Sequence, residues 1–159
     1  MRVWRAYIDT SVVGGVFDEL FMDASRHFFS LVEQGLFRLL ISNLLIDELR
    51  GAPDNVQHFL ETLTPNCFEI VMVSPEAEFL AQRYIESGVV TSKSVEDALH
   101  VAVATVNNAD LIVSWNFKHI VNFSRIHGYN AVNLLQGYRA LEIHSPMEMM
   151  GDGDKNEDN

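Results

Sequence analysis

Val3-Trp4-Arg5-Ala6-Tyr7-Ile8-Asp9-Thr10-Ser11 is the stretch on which the reading of this chain turns. Val3 to Ile8 is short, apolar-rich and contains Val, Trp, Tyr and Ile, which favour a pleated strand. It stops at Asp9-Thr10-Ser11, and Gly14-Gly15 follow close behind. The pattern is that of a first strand, a polar turn and the start of a helix. From there apolar residues at Phe21, Phe28, Leu31 and Val32 recur near helical spacing over Phe17 to Gln34, and Gly35 ends the run. Leu36 to Ile41 predicts a second strand. Ser42-Asn43 caps a helix to about Arg50, closed by Gly51-Ala52-Pro53.

The rest of the chain keeps the same rhythm. A short helix is predicted over about Asp54 to Leu63, and a strand over Glu69 to Val73. Pro75 starts a helix that runs to Ser87-Gly88, and Ser94 starts another that runs to Asn107. Leu111 to Ser114 is a short buried strand, Phe123 to Arg139 is mostly helical, and Leu141 to His144 is a last edge strand. Strands alternating with helices imply a mostly parallel sheet covered on both faces, a three-layer α/β/α sandwich. One domain over residues 1–150 is expected, with an acidic disordered tail over 151–159.

Composition narrows the function classes. The chain has 159 residues, enough for one sizeable core, and nearly half of them are apolar. Its net charge is −11; without the tail's four acids and one lysine it is about −8. That excludes a protein that coats nucleic acid through a broad basic face, and leaves a nucleic-acid enzyme whose site charge is offset by metal ions or a local basic strip. The lone Cys67 excludes an intrachain disulfide and makes a cysteine zinc site improbable; it is expected as a buried structural thiol. No stretch approaches the roughly 20 apolar residues of a membrane span, and Met1 to Arg5 lacks a signal peptide's apolar run. The expected location is cytoplasmic. No glycine-rich phosphate loop is present, and Ser11 stands where a haloacid-dehalogenase pattern needs a second Asp.

In an open parallel sheet, sites form beyond the carboxyl ends of the strands. Asp9 ends the first strand, Glu48 lies on the helix after the second, and Asp97 lies one turn into the helix before the fourth. Asn116 follows that fourth strand. Three acids sharing a crevice need a cation or protonation to coexist, and Mg²⁺ or Mn²⁺ suits such oxygen ligands. Each has a plain alternative: Asp9 as a helix cap, Ser94-Val95-Glu96-Asp97 as a capping box, Glu48 as a solvated acid beside Asp47.

Four segments, in this order, carry a family resemblance: Tyr7-Ile8-Asp9-Thr10-Ser11-Val12-Val13, Ile46-Asp47-Glu48-Leu49, Glu96-Asp97-Ala98-Leu99-His100-Val101-Ala102, and Ala109-Asp110-Leu111-Ile112-Val113-Ser114-Trp115-Asn116-Phe117-Lys118-His119-Ile120. Together they resemble the PIN-domain family, in particular its VapC-like toxin ribonucleases, over about Val3 to Pro146. The resemblance implies a Mg²⁺- or Mn²⁺-dependent endoribonuclease acting on RNA, with an antitoxin protein and a homodimer as partners. By matching position, Asp9, Glu48 and Asp97 would hold the metal, and Asn116 stands where many members have a fourth Asp. Thr10, Ser11 and Lys118 are candidates to contact substrate phosphate, and His100 is either a supporting residue behind the acids or a satisfied buried histidine. A PIN fold that binds RNA or protein without cleaving is the alternative function.

Overall fold

The computed structural model describes residues 2–151. Five strands form one sheet in the order β3-β2-β1-β4-β5, every pair parallel. They are β1 (Trp4–Ile8), β2 (Phe37–Ser42), β3 (Phe68–Val71), β4 (Leu111–Val113) and β5 (Glu142–His144). The chain builds outward from β1 to β3, then returns to place β4 on β1's other side. Strand order therefore reverses between β1 and β4, which opens a crevice at their carboxyl ends. The register sets Tyr7 beside Ile112 and Ile8 beside Val113, so Asp9 and Ser114 leave the sheet side by side.

Side chains alternate between two cores, as the period of a strand requires. Tyr7, Leu40, Ile112 and Ile143 point to one face, where α5 (Pro75–Glu86), α6 (Val95–Val106) and α7 (Phe123–Leu135) cover them. Ala6, Ile8, Leu39, Ile41, Leu111 and Val113 point to the other, under α1 (Thr10–Gly15), α2 (Met22–Glu33), α3 (Asn43–Leu49) and α4 (Asp54–Phe59). This is the expected three-layer sandwich. The central strands are buried on both faces, so their sequences read as continuous apolar runs.

Local signals start the helices where they were expected. Ser42 Oγ accepts the Leu45 amide at 3.1 Å and Ser74 Oγ accepts that of Ala77 at 3.1 Å, with Pro75 in the first turn. Three boundaries differ from the sequence reading. The helix expected over Phe17 to Gln34 starts late: α2 begins only at Met22, after a separate short α1 over Thr10–Gly15. Asp18 Oδ1 accepts the Leu20 amide at 2.8 Å, an Asx turn that offers the backbone an alternative to helix. The helix from Asp54 stops at Phe59 and tightens into a 3₁₀ turn at Leu60–Thr62. The last long helix ends at Leu135, because Gly137 adopts φ 88° and reverses the chain. Of the tail expected over 151–159, residues 152–159 lie outside the described residues. No helix among the described residues is long and apolar enough to cross a membrane.

The connection after β4 is anchored by Trp115, whose ring stacks on Phe21 and whose Nε1 donates to Ser25 Oγ at 2.8 Å. Gly15 lies against this pair. A methyl group there would fall 2.5 Å from Ser25 Oγ and 2.7 Å from Trp115 Nε1. Gly15→Ala is expected to destabilise the fold by about 1–3 kcal/mol through overpacking, measured by urea unfolding. An unchanged midpoint would show that this contact yields without strain.

Candidate active site

Asp9 is 5% exposed and sits at the N-cap of α1, yet its carboxylate makes no capping bond. Ser11 Oγ donates to its Oδ1 at 2.6 Å, and Ser114 Oγ donates to its Oδ2 at 2.5 Å. Each hydroxyl in turn accepts an amide from the loop after β4: Trp115 N–H at 2.9 Å on Ser11, Asn116 N–H at 2.9 Å on Ser114. The loop and the acid thus hold each other in place. Burial pushes the Asp9 pKa up, and the His100 imidazole and the two hydroxyls only partly offset it.

Glu48 comes from α3. Its side chain is 26% exposed, against 60% for neighbouring Asp47, so it is turned inward. Thr10 Oγ1 lies 3.0 Å from its Oε1, and His100 Nε2 lies 2.5 Å from the same oxygen. Burial works against this carboxylate, but the hydrogen bonds from His100 and Thr10 outweigh it and leave its pKa below the ordinary value. Behind it, Tyr7 Oη is 2.6 Å from His100 Nδ1 and 2.8 Å from Ser42 Oγ.

Asp97 lies in the first turn of α6. Ser94 makes no side-chain cap, so the capping box does not form. Among the described residues no hydrogen-bond donor reaches the Asp97 carboxylate. Burial raises its pKa; the imidazoles of His119 and His100 lower it, while Glu48 and Glu96 raise it further. Asp9, Glu48 and Asp97 therefore share His100 as a common electrostatic neighbour, and they come from three separate helices or helix starts.

The remaining candidates are placed differently from one another. Asn116 Oδ1 accepts the His119 amide at 2.9 Å and closes its own loop. Thr10 and Ser11, expected as phosphate donors, direct their hydroxyl hydrogens to Glu48 and Asp9. Lys118 is exposed on the loop. Cys67 is half-buried and its thiol pKa is raised by burial, as befits an inert packing residue. Ser114, Glu96 and Tyr7 were not assigned a role from the sequence. Ser114 obeys the rule that selects Asp9, the end of a central strand, but only the strand order shows that β4 adjoins β1.

Hard oxygen donors and a surplus of negative charge suit a divalent cation. Asp97, free of protein donors, is the acid most open to one. As the side chains stand, no three His, Cys, Asp or Glu among the described residues are grouped closely enough to hold a metal ion. The chemistry of the donor set fits; a ready-made cage is not formed.

No family model matches the chain, and no curated protein does. Solved structures do. VapBC2 from Rickettsia felis, bound to a DNA fragment from its promoter, aligns with TM-score 0.57 and 16% identity over 89% of this chain and 98% of that one. VapC20 from Mycobacterium tuberculosis, a Sarcin-Ricin loop cleaving toxin, aligns with TM-score 0.55 and 12% identity over 72% and 92%. FitAB bound to an IR36 DNA fragment aligns with TM-score 0.56 and 11% identity over 89% and 94%. The chain has a PIN-like fold. At these identities the likeness lies in the architecture alone.

Buried Asp9 and half-buried Glu48 act on stability with opposite sign. Asp9 has a raised pKa, so its contribution is full below its ordinary value of 3.8 and is lost as pH rises through the raised one. Glu48 has a lowered pKa, so its contribution is present above its ordinary value and is lost as pH falls through the lowered one. With chelator present, Asp9→Asn should melt a few degrees above wild type at neutral pH, with the margin closing as pH falls into the ordinary aspartate range. Thermal melts across pH check this; a variant that melts lower at neutral pH contradicts it.

Proposed function

We propose that this protein is a metal-dependent endoribonuclease that hydrolyses RNA phosphodiester bonds, the toxin of a toxin–antitoxin pair, working as a homodimer. One observation carries the reading. Asp9, Glu48 and Asp97 all neighbour His100 in a PIN-like fold, and two of them have raised pKa values. A protein gains no stability from such an arrangement, and groups of this kind cluster at functional sites. The likeness to VapC20, a Sarcin-Ricin loop cleaving toxin, supports RNA as substrate, and that to VapBC2 supports a partner protein.

Asp9, Glu48 and Asp97 would hold Mg²⁺ or Mn²⁺. Bound there, the cation supplies activation of water and relief of charge on the scissile phosphate. The chain's residues do the rest. Ser11 and Ser114 fix the orientation of Asp9. Thr10 and His100 occupy Glu48 Oε1, which leaves Oε2 to accept a proton from the attacking water. Asn116 shapes the loop through its carbonyl and keeps its amide nitrogen for a water or a phosphate oxygen. Exposed Lys118 meets the RNA backbone beside it. The acidic surface explains why substrate would be gripped at the site and not along a broad face.

A second reading rests on the closed state of Asp9, both of whose oxygens are taken by serines, and on the lack of a preformed three-ligand group among the described residues. In it, the fold binds RNA or protein without cleaving. Purified protein incubated with RNA and Mn²⁺, or with chelator, separates the two. Cleavage is expected only with metal. Asp9→Asn or Asp97→Asn should reduce it by more than about a hundredfold, since even outer partners of a bound metal are worth about 10–100-fold. Millimolar Mn²⁺ should also raise the melting temperature of the wild type. RNA binding without cleavage, in a folded sample that shows no such shift, favours the binding module.

A further inference from the structure

Behind Glu48 lies a line of buried polar groups that the reaction does not touch. Ser42 and Tyr7 are fully buried, and His100 is 2% exposed. The line runs from the Leu45 amide to Ser42 Oγ (3.1 Å), to Tyr7 Oη (2.8 Å), to His100 Nδ1 (2.6 Å), and from His100 Nε2 to Glu48 Oε1 (2.5 Å). Heavy-atom positions alone leave the direction of each bond open, but the count of donors and acceptors does not.

The direction is set at the sheet end of the line. Ser42 caps α3, so its oxygen accepts the Leu45 amide. Its own hydroxyl hydrogen needs an acceptor, and among the described residues Tyr7 Oη is the one within reach. A fully buried hydroxyl left unpaired is costly, so Ser42 donates to Tyr7. Tyr7 then has its hydrogen left for His100 Nδ1. Nδ1 must therefore present a lone pair, and the ring's hydrogen resides on Nε2, facing Glu48. Reversing the middle of the line would strand the Ser42 hydrogen inside the core.

We infer that Tyr7 and His100 are positioning residues for Glu48: the Ser42–Tyr7–His100 line locks His100 as the Nε2–H tautomer, and that donor, with Thr10, pins Glu48 Oε1, while Glu96 neighbours the same carboxylate. The inference rests on the nuclease reading for what Glu48 then does, but the hydrogen-bond assignment does not. The arrangement parallels the way outer hydrogen bonds orient ligands in metal sites generally, where the partner of a ligand fixes its tautomer or rotamer. It also gives a reason for a buried histidine to lie within the apolar α6, among buried Ala98, Val101 and Ala102 in sequence.

Two measurements test it. Ring ¹⁵N–¹H correlation spectra of the metal-free wild type at neutral pH should show His100 with a pyrrole-like Nε2 and a pyridine-like Nδ1. A proton on Nδ1 overturns the inference whatever the metal does. Mn²⁺ affinity by calorimetry should fall about tenfold or more in Tyr7→Phe and in His100→Leu. His100→Gln, whose amide retains a donor toward Glu48 and an acceptor toward Tyr7, should recover most of it. Equal Mn²⁺ affinity in wild type and Tyr7→Phe overturns the positioning role. If His100→Leu does not fold, Tyr7→Phe and the wild-type spectrum decide. Wild type that shows the Nε2–H tautomer but binds no Mn²⁺ supports the hydrogen-bond assignment and overturns the nuclease reading, so the two fail separately.

Discussion

A carboxylate held out of water between two adjacent strand ends is the constraint around which this molecule is arranged. Asp9 ends β1 and Ser114 ends β4, and the hydroxyl of one meets the carboxylate of the other at 2.5 Å. The bond is made because the parallel register sets Ile8 beside Val113, so the next residues emerge together. Burial of Asp9 is unfavourable by itself. It persists because Ser11 and Ser114 satisfy both oxygens, and because the amides of Trp115 and Asn116 hold the two serines. The same bonds that orient the acid therefore fold the loop that borders it.

The surrounding packing makes that geometry rigid. Trp115 is wedged against Phe21 and bonded to Ser25, which ties the loop after β4 to α2 on the far side of α1. Gly15 lets α1 come close enough for this to happen. On the other face, Tyr84 bonds Asn133 within the apolar helix layer and makes edge contact with Tyr129, while the Tyr129 hydroxyl reaches the His119 carbonyl. The loop carrying Asn116 to His119 is thus fastened from both layers of the sandwich. A site that must bring separated acids together gains from rigid supports of this kind.

Electrostatically the crevice is divided. Asp9 and Asp97 are driven toward their neutral forms by burial, while Glu48 is kept ionised by His100 and Thr10. Carboxylates whose environments separate their pKa values are suited to different tasks in one site. The division depends on which acid has donors beside it, and that is a property of packing. Asp97 has no hydrogen-bond donor among the described residues, and the imidazoles of His119 and His100 only partly offset its burial.

Much of the fold was legible along the chain, because strand and helix periods, Ser42 as a cap, Pro75 at a helix start and Gly35 as a stop are local signals. The five strands, the alternation that forces a parallel sheet, and the acids at or near strand ends all followed from them. The break at Asp18 did not, because an Asx turn and a helix continuation look alike in a stretch that also holds Phe17 and Phe21. Nor did the parts of Ser114 and Tyr7, since both depend on partners about a hundred residues away or across the sheet. The sequence by itself determined which residue types stand at the carboxyl ends of the strands. The tertiary structure alone decided which ends are neighbours, which oxygens are taken, and which way the buried hydrogen bonds run, because those follow from strand order and burial, to which spacing along a chain is blind.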